Sequence, residues 1–163
     1  MKTIAFSVLV LLALAPLSFA DTFKIPKTKP IATITFPDKW DASYADDGVE
    51  GTSPDEEIYI YIEDNDSGSI EGAIKEMFAY LEKKEVKVKA DSVKKSDMKL
   101  NGMDVVDLAY EAEDADGPTH VDLTVFAIGK DKGLLMLYWA TPEKEKKHQA
   151  ELTSILQSIK PLK

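Results

Sequence analysis

Residues 134–140 read LLMLYWA, a strand-length run with apolar side chains on both of its alternating faces. Successive side chains of a strand point to opposite sides of its sheet, so such a run is stable only where both faces are covered. The chain therefore needs one layer above and one below a central sheet. Two segments have the periodicity to supply them. Ile70, Ala73, Ile74, Met77, Phe78 and Leu81 recur at three-and-four spacing, with Glu71, Lys75, Glu76, Glu82 and Lys83 opposite. That pattern predicts an amphipathic helix ending by Glu85, with Ser67 or Ser69 as its cap. A second helix opens with Thr141 as cap, Pro142 at its first position and Glu143 and Glu145 in its first turn. Its buried stripe is Leu152, Ile155, Leu156 and Ile159, and Pro161 ends it.

Between the helices the period changes to two. Asn101-Gly102 is a two-residue hairpin signal, because both positions must tolerate positive φ. It joins a strand within 86–100 to one over 103–113; the Asp116-Gly117 turn leads to a third over 119–128, and the turn at 130–133 leads to LLMLYWA. These four strands form an antiparallel meander. Upstream, 31–36 (IATITF) is a β-branched strand closed by Pro37-Asp38, 40–44 is a weaker strand, and 45–57 is an acidic, glycine-containing loop or short hairpin. Residues 58–62 (IYIYI) put isoleucines on one face and tyrosines on the other. The predicted class is α+β, a three-layer α/β/α sandwich with a central antiparallel sheet, one helix before and one after a four-stranded meander.

Residues 1–20 carry a different signal. Lys2 precedes an apolar run of about twelve residues, and Pro16 with Ser18-Phe19-Ala20 makes a small-x-small cleavage site. The run is shorter than the roughly 20 residues that a spanning helix needs. The reading is a signal peptide cleaved between Ala20 and Asp21, a proline- and lysine-rich extended lead-in over 21–30, and a single domain over 31–163. The mature chain would be periplasmic or extracellular. No cysteine is present, which excludes a lipid-modified thiol at the new terminus, disulfides and thiolate metal sites. Without the leader the chain has 143 residues, with 19 basic against 29 acidic, a formal −10. Nucleic acid binding needs clustered cations, and here the lysines are scattered among acids. Arginine is absent, so no bidentate guanidinium contact to phosphate or carboxylate is available.

Candidate chemistry is sparse. His120 opens a strand beside carboxylates, and His148 is expected on the exposed side of the last helix among Glu145, Lys146 and Lys147. Neither lies in a nucleophile-elbow or HExxH pattern, so a hydrolase reading comes third. Calcium needs six or more oxygens, and Glu63, Asp64 and Asp66 in EDNDSGS resemble a calcium loop but fail its register, with Lys75 or Ile74 where the bidentate glutamate belongs. The competing reading is a solvated turn capping the helix. Glu111, Glu113, Asp114 and Asp116 form a second acidic candidate at a hairpin tip, where repulsion of about 1 kcal/mol per pair in water does not require a cation. Trp40, Tyr59 and Tyr61, with Tyr138 and Trp139, are aromatics for a partly exposed groove, against the alternative of ordinary cross-strand packing.

The succession of short strands with Phe36-Pro37-Asp38-Lys39-Trp40, a helix, an Asn-Gly meander and a helix opened by Thr141-Pro142-Glu143 resembles the Mog1/PsbP-like family over residues 31–162. That resemblance implies a non-catalytic α/β/α domain used for protein contacts, in nuclear transport regulation in one branch and photosystem assembly or support in another. It implies no site residue here. The expected function is an exported, non-catalytic interaction or accessory module without a cofactor, membrane span or lipid anchor, whose partner is another exported or envelope protein. The alternative is a small-molecule or divalent-cation binder.

Overall fold

The computed structural model describes residues 20–65, 70–129 and 132–162. Residues 1–19 of the predicted leader, Asp66, the two candidate cap residues Ser67 and Ser69, and part of the 130–133 turn lie outside the described residues. Eleven strands and two α-helices are described, all strand pairs antiparallel. The strands are β1 (Ala20–Ile25), β2 (Ala32–Pro37), β3 (Asp41–Tyr44), β4 (Gly48–Thr52), β5 (Tyr59–Asp64), β6 (Lys87–Val88), β7 (Lys94–Leu100), β8 (Met103–Asp114), β9 (Gly117–Ala127), β10 (Gly133–Ala140) and β11 (Lys160–Pro161). The helices are α1 (Ile70–Lys83) and α2 (Pro142–Ser158).

The central sheet runs β3-β4-β5-β10-β9-β8-β6, and β7 also pairs with the long β8. The meander is therefore β7 to β10, as expected, and β10 sits in the middle. Its alternate residues go to two separate cores. Leu134 and Met136 join Ile60, Ile62, Phe126 and Ile155 on the α2 side, whereas Leu135 and Leu137 join Leu123, Met77 and Leu81 on the α1 side. All of these except Met136 and Met77 are 2% exposed or less, so the two-faced apolar run is covered on both sides. Asn101 and Gly102 take φ of 50° and 84° at the β7–β8 turn, the left-handed pair that such a hairpin requires.

The third layer contains more than a helix. β1, β2 and β11 form a second, three-stranded sheet beside α2. The 31–36 strand belongs to it, and the lead-in is its edge strand, carrying Ile25 into the core with no exposed surface. The Ser158 hydroxyl accepts from the Thr35 amide at 2.8 Å and so ties α2 to β2. The acidic 45–57 stretch contains β4, a strand hidden by its glycines. A Cβ on Gly51 would lie 2.3 Å from Phe36 Cε1, so glycine there makes room for the buried ring. Thr141 occupies the cap position of α2, but its side chain makes no capping bond.

Candidate functional site

The α2 face of the central sheet turns polar at one place. Along β8 the inward row is Met103, Val105, Asp107, and along β9 it is Phe126, Thr124, Asp122. Register puts Asp107 opposite Thr124 and Asp122 opposite Tyr138, and Tyr138 opposite Ile60. The side chains thus converge in a groove of about 270 Å³ beneath α2, with Glu145 on its rim and Met98, Met136, Leu152 and Leu156 in its floor and walls. Burial, reinforced by the neighbouring Asp107 charge, raises the Asp122 pKa to about 6 against a hydrogen bond from the Tyr138 hydroxyl. Burial also raises Asp107, against the bond that it accepts from Thr124 Oγ1 at 2.8 Å. Among the described residues no lysine is paired with either carboxylate.

His120 lies at the end of this groove. Its Nδ1 is 3.2 Å from Glu145 Oε2 and its side chain is half-exposed. Asp107, Asp122 and Glu145 were not singled out as site residues by sequence reasoning. The available signal was phase: acids occupy inward positions of two strands whose other inward residues are apolar.

His148 requires a correction. It is buried, not solvated, because α2 turns it toward the 53–57 turn and Trp40. Its Nε2 is 2.9 Å from Asp55 Oδ2 and its Nδ1 2.8 Å from Glu151 Oε2. Burial alone would lower its pKa, but the bonds to Glu151 and Asp55 outweigh that and raise it. Hydrogen bonds from Lys147 and Ser53 hold Asp55 well below the usual carboxylate range. Asp55, Glu57 and His148 bring one ligand atom each within 4.8 Å of one another.

The predicted aromatic groove is divided between the two faces of the sheet. Trp40 is buried on the α2 side against Phe36 and donates to Glu151. Tyr59 and Tyr61 face α1 instead, because β5 alternates. Tyr59 donates to Glu50 at 2.8 Å and meets the Tyr80 hydroxyl at 3.2 Å, while Tyr61 donates to Glu63 at 2.8 Å. These tyrosines and Glu76 line a second depression on that side. Burial raises the Glu63 pKa. Asp64 ends β5 opposite Leu134.

At the hairpin tip, Glu113 lies opposite Lys87 in register and Glu111 is 4.0 Å from Lys89. Asp114 accepts from the Asp116 amide. This acidic group therefore lies beside the lysines of β6 and its neighbour and closes its own turn.

Two helices and a small sheet around a large antiparallel sheet define a three-layer α+β sandwich. No family model matches the chain, and no curated protein matches it by sequence. Solved structures do. The cyanobacterial PsbP protein CyanoP from Synechocystis superposes at TM-score 0.60 with 10% identity, over 93% of this chain and 99% of that one. The Ran-binding protein Mog1p of Saccharomyces cerevisiae matches at 0.51 with 6% identity, over 87% and 95%. LpqN of Mycobacterium tuberculosis, involved in cell envelope biogenesis, matches at 0.55 with 12% identity, over 88% and 92%. The chain spans 48% of a matching Bacteroides thetaiotaomicron structure, at TM-score 0.58 and 13% identity over 87% of this chain. The fold is Mog1/PsbP-like. Among the described residues no helix is long and apolar enough to cross a membrane.

Proposed function

We propose that this chain is an exported accessory protein that binds another exported or envelope protein by taking a lysine or arginine side chain of it into the groove beneath α2. The observation that carries the reading is Asp107 and Asp122 half-buried together with no lysine partner among the described residues. A carboxylate in a partly apolar setting is costly unless a cation joins it. An alkyl-stemmed cation matches both parts of the groove, its methylenes against Met98, Met136 and Leu156 and its charge against the acids. The likeness in fold to a Ran-binding protein supports a binding role, the likeness to a protein involved in cell envelope biogenesis supports a place in the envelope, and the predicted leader supports export. A non-catalytic role is favoured by the histidines: both nitrogens of His148 face carboxylates, and Glu145 faces the Nδ1 of His120.

The test is a photo-crosslinking amino acid in place of Gln149 or Thr153, exposed residues of α2 beside the groove, with Glu71 on the far helix as control. The expected result is one discrete adduct in living cells from the groove positions and none from Glu71. Equal labelling from both faces, or none at all, would refute the assignment.

A further inference from the structure

The corner between the 53–57 turn and α2 is a separate cluster that the groove does not use. We propose that it is a binding site for a divalent transition cation of the zinc class, with His148 Nε2, Asp55 Oδ2 and a Glu57 carboxylate oxygen as protein ligands and water completing the shell.

Three features favour a metal over a chance meeting of charges. First, the imidazole is fixed from behind. Its Nδ1 is held by Glu151 Oε2 at 2.8 Å, and the same oxygen accepts from Trp40 Nε1 at 3.3 Å. A carboxylate on the rear nitrogen sets the tautomer and aims the front nitrogen, which is how metal-binding histidines are held. Second, Asp55 is oriented in the same way. Ser53, 2% exposed, donates to Asp55 Oδ1 at 2.7 Å while its oxygen accepts from the amides of Glu57 and Ile58. Oδ1 is thereby engaged, and Oδ2 faces His148 Nε2, with the Lys147 ammonium also on it.

Third, the donor set is selective. One imidazole and two carboxylates suit zinc, cobalt or nickel, whereas calcium and magnesium require a fuller shell of oxygens. The two carboxylates also balance the charge of a divalent ion bound by a neutral imidazole. Lys144 and Lys147 contact Glu57 and Asp55. The Lys147 side chain is 57% exposed and that of Lys144 36%, so both ion pairs reach solvent and the lysines act as replaceable counter-ions. Ligand bonds near 2.1 Å put tetrahedral donors about 3.4 Å apart. Nε2 and Oδ2, now 2.9 Å apart, need to open only slightly while Glu57 swings inward.

The experiment is calorimetry of the untagged protein with zinc chloride, repeated with calcium chloride, together with visible absorption of the cobalt-loaded protein. One saturable zinc site is expected, with intense cobalt absorption that signals low coordination and no saturable calcium binding. His148→Ala should abolish the site. Glu57→Gln, at a side chain not needed by the core, should weaken it at least tenfold without altering the fold, and Glu151→Gln should weaken it about 10- to 100-fold. Lys147→Ala should bind as tightly as the parent or tighter. Failure of the parent to bind zinc saturably would overturn the site and leave an imidazolium clasp only. Zinc binding that survives unchanged in both His148→Ala and Glu57→Gln, or calcium binding of equal strength, would overturn it as well.

Discussion

Asp122 gives the sharpest test of how the groove is built. Its carboxyl is raised from 3.8 to about 6, so ionising it in the folded chain costs about 3 kcal/mol relative to the unfolded chain. That is a large part of the 5–15 kcal/mol on which a domain of this size depends. The folded state holds an extra proton between about pH 4 and 6, and it therefore loses stability as pH rises through that window and levels off above it. Asp122→Asn preserves shape and keeps an oxygen for the Tyr138 hydroxyl while removing the charge. The variant should gain up to about 3 kcal/mol at pH 7 and little at pH 4. Urea denaturation followed by fluorescence of Trp40 and Trp139, at steps from pH 4 to 7, measures both. A variant no more stable than the parent at pH 7, or one with the same gain at both ends, would refute the reasoning. A charge that costs this much stability and is nevertheless present is what a cation-binding site requires.

Other consequences are more local. Intact-mass measurement of the protein recovered from cells and medium of its host should show Asp21 as the first residue, which leaves Asp21–Ile25 of β1 still paired with β2; a mass that includes residues 1–20 would contradict the leader reading. Gly51→Ala should cost about 1–3 kcal/mol in denaturant melts, because the added carbon meets the fully buried Phe36 ring. Asn101→Gly keeps the turn but loses two amide bonds to the Gln157 and Ile159 carbonyls, at 2.9 and 2.6 Å, and should lower stability by about 1–2 kcal/mol. A neutral Asn101→Gly would mean that these bonds do not hold the end of α2.

The central architecture was legible wherever a local pattern carries it. LLMLYWA required two covering layers, IYIYI set the faces of β5, and Asn101-Gly102 set the turn of the meander. The second sheet was not legible, because its third strand is only Lys160–Pro161 and its first is a lead-in without clean alternation. β4 was obscured because propensity counts Gly51 against a strand, whereas the Phe36 ring requires it. His148 shows the same limit at a site. Glu151 lies one turn away on the same helix and could be paired with it from spacing alone, but Asp55 is 93 positions distant and only the fold brings it near. Lys146 and Lys147 immediately before His148 made the neighbourhood read as solvent-facing, although α2 points that one position inward. The inward acids of β8 and β9 were readable from phase, yet their meeting depends on register.

The groove's affinity for a cationic side chain is read by an amide-resolved magnetic resonance titration with a short lysine-bearing peptide, on the parent and on the Asp107→Asn/Asp122→Asn pair. Saturable shifts are expected at Asp122, Tyr138 and Thr153, weakened by added salt and absent in the double variant. Shifts confined to the α1 face, or shifts that persist undiminished without the two carboxylates, would contradict that affinity.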